Sequence, residues 1–157
     1  MAVVELSFTP LPAHVRTARL IATAIARRAD VEPDVVDEIR LAVGEACSRA
    51  VQLHQTHGEP RPVRLTLSVD QGRYEVVVID AVTDSADAAL SSLDGFDFGS
   101  TDQPAADGSM PPGIGLAVIV GLVDSVEVVA APSGGTEVRM SWPCGEVARD
   151  TVLAAEA

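Results

Sequence analysis

The stretch DVEPDVVDEIRLAVGEACSRAVQLHQ, residues 30–55, carries the clearest helical pattern in the chain. Pro33 suits a first helical turn, and the acidic residues after it suit the end where the helix dipole favours negative charge. Apolar side chains then recur at helical spacing, at Val36, Ile39, Val43, Ala46, Ala50 and Leu53. Glu45 and Arg49 stand four residues apart, away from the centre of that apolar face. The stretch therefore predicts an amphipathic helix that carries a charged pair beside its buried face.

The segments on either side predict strands and further helices. AVVELSFTP alternates as a strand that Pro10 closes, and Pro12 to Arg28 has the spacing of a helix. Two hairpins are predicted, one turning at Gln71-Gly72 and one at Pro132 to Gly135, with a short helix between them that ends near Gly121. The order β-α-α-β-β-lid-α-β-β predicts an α+β fold of the two-layer α/β sandwich type. Its helices would cover one face of a mostly antiparallel sheet.

Length and spacing predict one domain with two irregular segments. The chain has 157 residues, and the domain is expected at 1–143. Residues 81–112 are rich in Ala, Asp, Ser, Gly and Pro, which is typical of a functional lid or a disordered insert. Residues 144–157 are expected to form a flexible tail.

Composition narrows the classes of partner. The net charge of −12 argues against nucleic acid and against anionic membranes, because no basic stripe is present to bind phosphates. Two lone cysteines, no signal peptide and no long apolar run predict a cytoplasmic protein. The histidines have no metal-ligand spacing, so no metal site is predicted among them.

Four short motifs are weak singly and specific together. They are EACSRAV at 45–51, Asp80 closing a strand, GIG at 113–115 and GGT at 134–136. Alone, each suits a solvated charge, a turn former, a helix entry or a hairpin turn. In this order, from the first strand to about Trp142, they resemble the histidine-kinase-like (GHKL, Bergerat-fold) ATPases. The nearer resemblance is to bacterial anti-sigma factors that are also serine kinases.

The resemblance implies ATP and Mg²⁺ as cofactors and assigns a role to each matching residue. Glu45 matches the general base, or the residue that positions the nucleophile. Asp80 matches the aspartate that reads the adenine amino group, and Thr136 matches the threonine that supports it. Gly113 and Gly115 match the glycines that let the lid and a helix N-terminus approach the phosphates.

Three departures from the family pattern oppose Mg-ATP chemistry. Arg49 stands where the family has an asparagine that helps hold Mg²⁺, and arginine has no lone pair to offer a metal. Val82 replaces a glycine two residues after the aspartate, and Leu53 replaces a histidine, with His54 displaced by one. We therefore expect ATP and Mg²⁺ binding to be weakened and kinase activity to be impaired.

Three interpretations of Arg49 follow from the sequence. It could pair with Glu45 and hold that carboxylate in its charged form, as a poorer base. It could contact the phosphates directly and take the place of the metal. In the third interpretation, the pocket is empty and the pair with Glu45 is structural.

Three functions remain open on these residues. The first is an anti-sigma-factor-like regulator that binds a sigma factor, a STAS-domain anti-anti-sigma partner, or both, with ATP binding or kinase activity weakened or lost. The alternative is an active Mg-ATP-dependent serine kinase that phosphorylates a STAS-domain antagonist. The third is a structural domain that uses the fold only for dimerisation or scaffolding. The resemblance also implies a homodimer formed through the first strand and helix.

Overall fold

The computed structural model of the protein describes residues 1–83, 85–87 and 112–145, with the backbone alone at 112–115 and 117. Its strands are β1 (Ala2–Phe8), β2 (Val63–Asp70), β3 (Arg73–Ile79), β4 (Ser125–Ala130) and β5 (Thr136–Pro143). Its helices are α1 (Pro12–Arg28), α2 (Pro33–His57) and α3 (Pro112–Leu122), and residues 85–87 are also helical. The predicted element order is confirmed.

The strands form one five-stranded sheet in the order β1-β2-β3-β5-β4. Every neighbouring pair is antiparallel. The turn between β2 and β3 uses Gln71 and Gly72 with φ of 47° and 74°, which matches the backbone twist of a two-residue hairpin. The predicted α+β two-layer sandwich is therefore confirmed.

Alternating apolar residues place the core on one face of the sheet. The buried inward positions are Val63, Leu65, Leu67, Tyr74, Val76, Val78, Val138, Met140 and Trp142. Tyr74 is the point at which the sheet is tied to α1, since its hydroxyl donates to the carbonyl of Ala22 at 2.8 Å. Apart from Tyr74, Met140 and Trp142, these inward positions are aliphatic, which agrees with an aromatic content of only 3%.

Helix α2 follows the predicted pattern except at its last turns. Five of the six predicted apolar positions are buried, but Leu53 is partly exposed and His54 takes the buried position beside it. The helix ends at Gly58, whose φ of 64° is the left-handed conformation that glycine adopts without strain. The buried stripe therefore rotates by one residue near the end of the helix, where a polar ring replaces leucine.

The predicted lid and tail lie mostly outside the described residues. Of the tail, Cys144 and Gly145 are described, and their N–H groups donate to the carbonyls of Gly72 at 2.8 Å and Ala29 at 3.0 Å. Within the described ranges, no helix is both long and apolar enough to span a bilayer.

Candidate functional site

Arg49 is buried between α2 and the end of β3. Its side chain is 8% exposed, and its Nη1 lies 3.4 Å from Oδ2 of Asp80, whose side chain is 1% exposed. Burial lowers the pKa of Arg49, and the attraction and hydrogen bond of Asp80 act in the opposite direction. The position of Arg49, predicted to lie away from the buried face, is thus inside the protein and paired with a carboxylate 31 residues away.

The Asp80 carboxylate receives its remaining hydrogen bonds from the chain that follows it. Oδ1 accepts the backbone N–H of Val82 at 3.0 Å and the hydroxyl of Ser85 at 2.8 Å. Asp80 is 2% exposed, so these donors and Arg49 supply the hydrogen bonds that water would give an exposed carboxylate. A buried carboxylate needs such donors, because an unpaired charge in a low-dielectric interior is strongly unfavourable.

Thr136 meets Asp80 from the next strand in the sheet. Its carbonyl accepts the Asp80 N–H at 3.1 Å, and its hydroxyl is hydrogen bonded to the hydroxyl of Ser85. Asp80 and Thr136 are thus brought together as the resemblance implies, and we call their carboxylate and hydroxyl the acceptor pair. Ser85 joins the two members of the pair.

Gly135 allows this close approach. A Cβ atom at position 135 would lie 1.8 Å from the carbonyl oxygen of Asp80 and 3.0 Å from its Oδ1. Only a residue without a side chain fits there, because the nearest atoms belong to backbone that cannot move aside. The glycine of the GGT motif therefore holds the β4–β5 turn against the end of β3.

His54 and Arg61 fix the peptide groups that follow Asp80. His54 accepts the N–H of Ala81 on Nε2 at 3.0 Å and donates from Nδ1 to the carbonyl of Arg61 at 3.0 Å. Arg61 in turn donates to the carbonyl of Ala81 at 2.7 Å. The hydrogen bonds require a neutral imidazole with its proton on Nδ1, so His54 has a positioning role in the fold.

Glu45 lies one helical turn before Arg49 and is partly exposed. Among the described residues it has no ion pair or hydrogen bond, so the interpretation in which Arg49 pairs with Glu45 is not the observed arrangement. The physical reason is burial: a counter-charge stabilises the Asp80 carboxylate, in its low-dielectric interior, more than it would stabilise the partly exposed Glu45.

The remaining predicted site residues divide in two. Gly113 and Gly115 lie in the first turn of α3, and their surroundings are outside the described part of the chain. Val82 is 4% exposed, and its N–H donates to Oδ1 of Asp80. Ser85 and Arg61 were missed from sequence, because a serine and an arginine in irregular segments carry no periodic signal.

The donor set does not fit a magnesium-bound nucleotide as the family would hold it. Arg49 supplies only donors at the position where the family has an oxygen ligand. Asp80 and Thr136 retain the atoms that could read a base, yet both are hydrogen bonded to Ser85. Arg49, Asp80 and Thr136 are therefore hydrogen bonded within the chain itself.

The fold and the site together define a histidine-kinase-like domain. The sequence profile of the family described as the histidine kinase-like ATPase domain matches residues 8–142, and the chain belongs to this family. The resemblance stated from the motifs is thereby confirmed.

Curated relatives share most of the chain. The serine-protein kinase RsbW of Bacillus subtilis is 28% identical over 159 residues, covering 96% of this chain and 92% of that protein. The anti-sigma F factor of Oceanobacillus iheyensis is 28% identical over 141 residues, covering 87% of this chain and 89% of that protein.

A solved structure shows the same fold. It contains the RsbU and RsbW domains of Rv1364c from Mycobacterium tuberculosis, and it matches with a TM-score of 0.63 at 14% identity. The match covers 92% of this chain and 33% of that longer chain. At this identity the likeness supports the fold alone.

Proposed function

We propose that the protein is an anti-sigma-factor-like regulator that acts through protein contacts. It would bind a sigma factor, a STAS-domain anti-anti-sigma protein, or both, with ATP binding and phosphoryl transfer weakened or lost. The single observation that carries the proposal is the buried ion pair between Arg49 and Asp80, at 3.4 Å. This pair engages the Asp80 carboxylate that an adenine base would need, and it places the Arg49 cation where the family has a metal ligand.

The pair opposes phosphoryl transfer in two ways. Transfer of a phosphoryl group depends on Mg²⁺ to neutralise charge and position the triphosphate, and a guanidinium cannot ligate that ion. A nucleobase entering the site would also have to break the ion pair, and the Arg49 charge would then be buried without its partner. Both effects weaken Mg-ATP binding while leaving the outer surface unchanged.

The class of partner rests on kinship and charge. Relatives named anti-sigma F factor and serine-protein kinase RsbW match nearly the whole chain. The net charge of −12 complements basic segments of a protein partner and would speed their encounter. This complementarity agrees with a regulator that works by binding.

We include a homodimer and a cytoplasmic location in the proposal. Strand β1 is at one edge of the sheet, with Val3 and Val4 exposed at 48% and 40%. Leu11 and Leu20, which follow β1 in the chain, are exposed at 47% and 62%. An edge strand with apolar neighbours favours pairing with another copy of the chain. Light scattering on the purified protein at several concentrations tests this part.

One observation favours the alternative of an active serine kinase. Glu45 is partly exposed and unpaired among the described residues, so it is available to act as a general base. An active kinase would transfer the γ-phosphoryl group of ATP to a serine of a STAS-domain substrate. Transfer of labelled phosphate to such a substrate is the decisive observation for this alternative.

The test combines binding and transfer in one design. Sigma factors and STAS-domain proteins from the same genome are immobilised, and the native protein is passed over them with and without Mg-ATP. We expect specific capture of at least one of them, unchanged by Mg-ATP, and no labelled product. Arg49→Asn restores the family residue, and Arg40→Asn on the exposed side of the same helix is the matched control.

Two results would contradict the proposal. Capture of neither class of partner would remove the regulatory function. Phosphorylation of a STAS-domain protein by the native chain, at a rate that Arg49→Asn does not raise, would establish the kinase instead.

A further inference from the structure

The hydroxyl of Ser85 lies between the two members of the acceptor pair. It donates to Oδ1 of Asp80 at 2.8 Å and is hydrogen bonded to the hydroxyl of Thr136. A hydroxyl has one proton, so the proton of Ser85 serves Asp80 and the proton of Thr136 serves Ser85. Ser85 is 4% exposed, which keeps solvent from competing for these bonds.

The donors around Asp80 come entirely from described residues of this chain. Val82 and Ser85 occupy Oδ1, and Arg49 occupies Oδ2. An ionised carboxylate has about four lone-pair positions, so three are engaged. Both positions on Oδ1 are taken, so an incoming amino group would have to displace Ser85 to use that oxygen.

Ser85 is placed there by the turn that follows β3. The N–H of Val82 returns to the side chain of Asp80, and the N–H of Ser85 donates to the carbonyl of Val82 at 3.3 Å. These bonds hold Val82 and Ser85, the first of the helical residues 85–87, close to Asp80. A serine at the start of a helix ordinarily caps the backbone of that helix, whereas this hydroxyl points away to Asp80.

We propose that Ser85 is an intramolecular occupant of the base site: its hydroxyl competes with the amino group of a purine for Asp80 and takes up the proton of Thr136. This inference rests on the proposed function, because it explains how a family member keeps the base-reading residues and binds nucleotide weakly. A purine enters only when the Ser85 hydroxyl leaves Asp80 and Thr136. The strength of the hydrogen bonds that Ser85 makes to Asp80 and Thr136 thus sets the affinity of the site for the purine.

Removal of the hydroxyl should raise the affinity for a purine nucleotide. The hydrogen bond from Ser85 goes to a charged acceptor, so its loss corresponds to about a tenfold to hundredfold change in an equilibrium constant. Ser85→Ala frees one lone pair of Asp80 and the Thr136 hydroxyl together. A purely structural Ser85 would predict lower thermal stability with no change in affinity.

The experiment is titration calorimetry with ATP, with and without Mg²⁺. It compares Arg49→Asn with Arg49→Asn/Ser85→Ala, and Ser125→Ala in the same background is the control, because Ser125 is exposed at the start of β4. We expect the Ser85→Ala variant to bind about tenfold to hundredfold more tightly than its parent. The Ser125→Ala variant should match the parent.

A second variant guards against misfolding. Ser85→Cys keeps a side chain of similar size with a weaker donor, so it should give an intermediate gain in affinity. Thermal unfolding of every variant accompanies the titrations. Equal affinities for the parent and both Ser85 variants would overturn the proposal, as would the absence of ATP binding in all of them.

Failure of the two proposals can be told apart. Tight, Mg²⁺-dependent ATP binding by the native chain would contradict the proposed function. The comparison between Arg49→Asn and its Ser85→Ala derivative would still decide the role of Ser85, because both proteins carry the same residue at position 49.

Discussion

The ion pair between Arg49 and Asp80 should be strongly coupled even though its atoms are far apart for a salt bridge. Its separation is 3.4 Å, with side chains 8% and 1% exposed. The pair between Arg40 and Asp37 on the same helix is shorter, at 2.6 Å, but its side chains are 49% and 68% exposed. The buried pair has the longer separation and the exposed pair the shorter one. Comparing the two pairs therefore separates the effect of burial from the effect of distance.

Burial should decide the outcome. Removing one partner of a buried pair leaves an uncompensated charge, so Arg49→Met should lower the free energy of unfolding by about 3 kcal/mol. Asp80→Asn keeps the oxygen that Val82 and Ser85 use and turns an amide toward Arg49, and a similar loss of about 3 kcal/mol is expected. The double variant has no charge left to bury, so it should lose much less than the sum.

The assay is urea unfolding at neutral pH, analysed as a double-mutant cycle. We expect a coupling energy of about 2–3 kcal/mol for the buried pair. Arg40→Met and Asp37→Asn should couple by no more than about 0.5 kcal/mol, because water screens exposed charges. The slopes of free energy against urea should stay equal across variants, so that the cycle compares one unfolding reaction.

The reasoning would be refuted by additivity at the buried pair. If the losses from Arg49→Met and Asp80→Asn add to within about 0.5 kcal/mol, the two side chains do not interact in the folded protein. Coupling at the exposed pair as large as at the buried one would show that distance, and not burial, sets the strength.

Four further outcomes are expected. Gly135→Ala should destabilise the protein by about 3 kcal/mol, because the new Cβ would clash with the carbonyl of Asp80. Gly121→Ala should stabilise it by about 0.5–1 kcal/mol in the same urea assay, because nothing lies within 4 Å of the new Cβ at this position in α3. Burial raises the pKa of the Cys47 thiol to about 12, so this thiol should not react with a thiol reagent at pH 8 until urea unfolds the chain. Rapid reaction of Cys47 in the native protein would contradict its burial. His54→Leu should lower the free energy of unfolding by about 2–3 kcal/mol, since it leaves a backbone donor and an acceptor unpaired, and an unchanged midpoint would show that both groups reach water.

The sequence predicted the architecture because its signals are local. Hydrophobic spacing gave the boundaries of α1 and α2, and glycine placement gave both hairpin turns, since each depends on residues a few positions apart. The family resemblance also implied that Thr136 supports Asp80, and a hydrogen bond joins their backbones in the structure. Here the family pattern supplied the long-range information that periodicity lacks.

Three properties of the site were decided only by the tertiary structure. Arg49 could reach a carboxylate one turn away or one across the core, and the choice depends on how α2 lies over β3. Ser85 becomes part of the site because a turn returns it to Asp80, and no repeating pattern encodes that turn. Gly135 is required by the approach of two chain segments more than fifty residues apart in sequence. A side chain's partner is set by which charges share a low-dielectric interior, and that is known only when distant segments have packed.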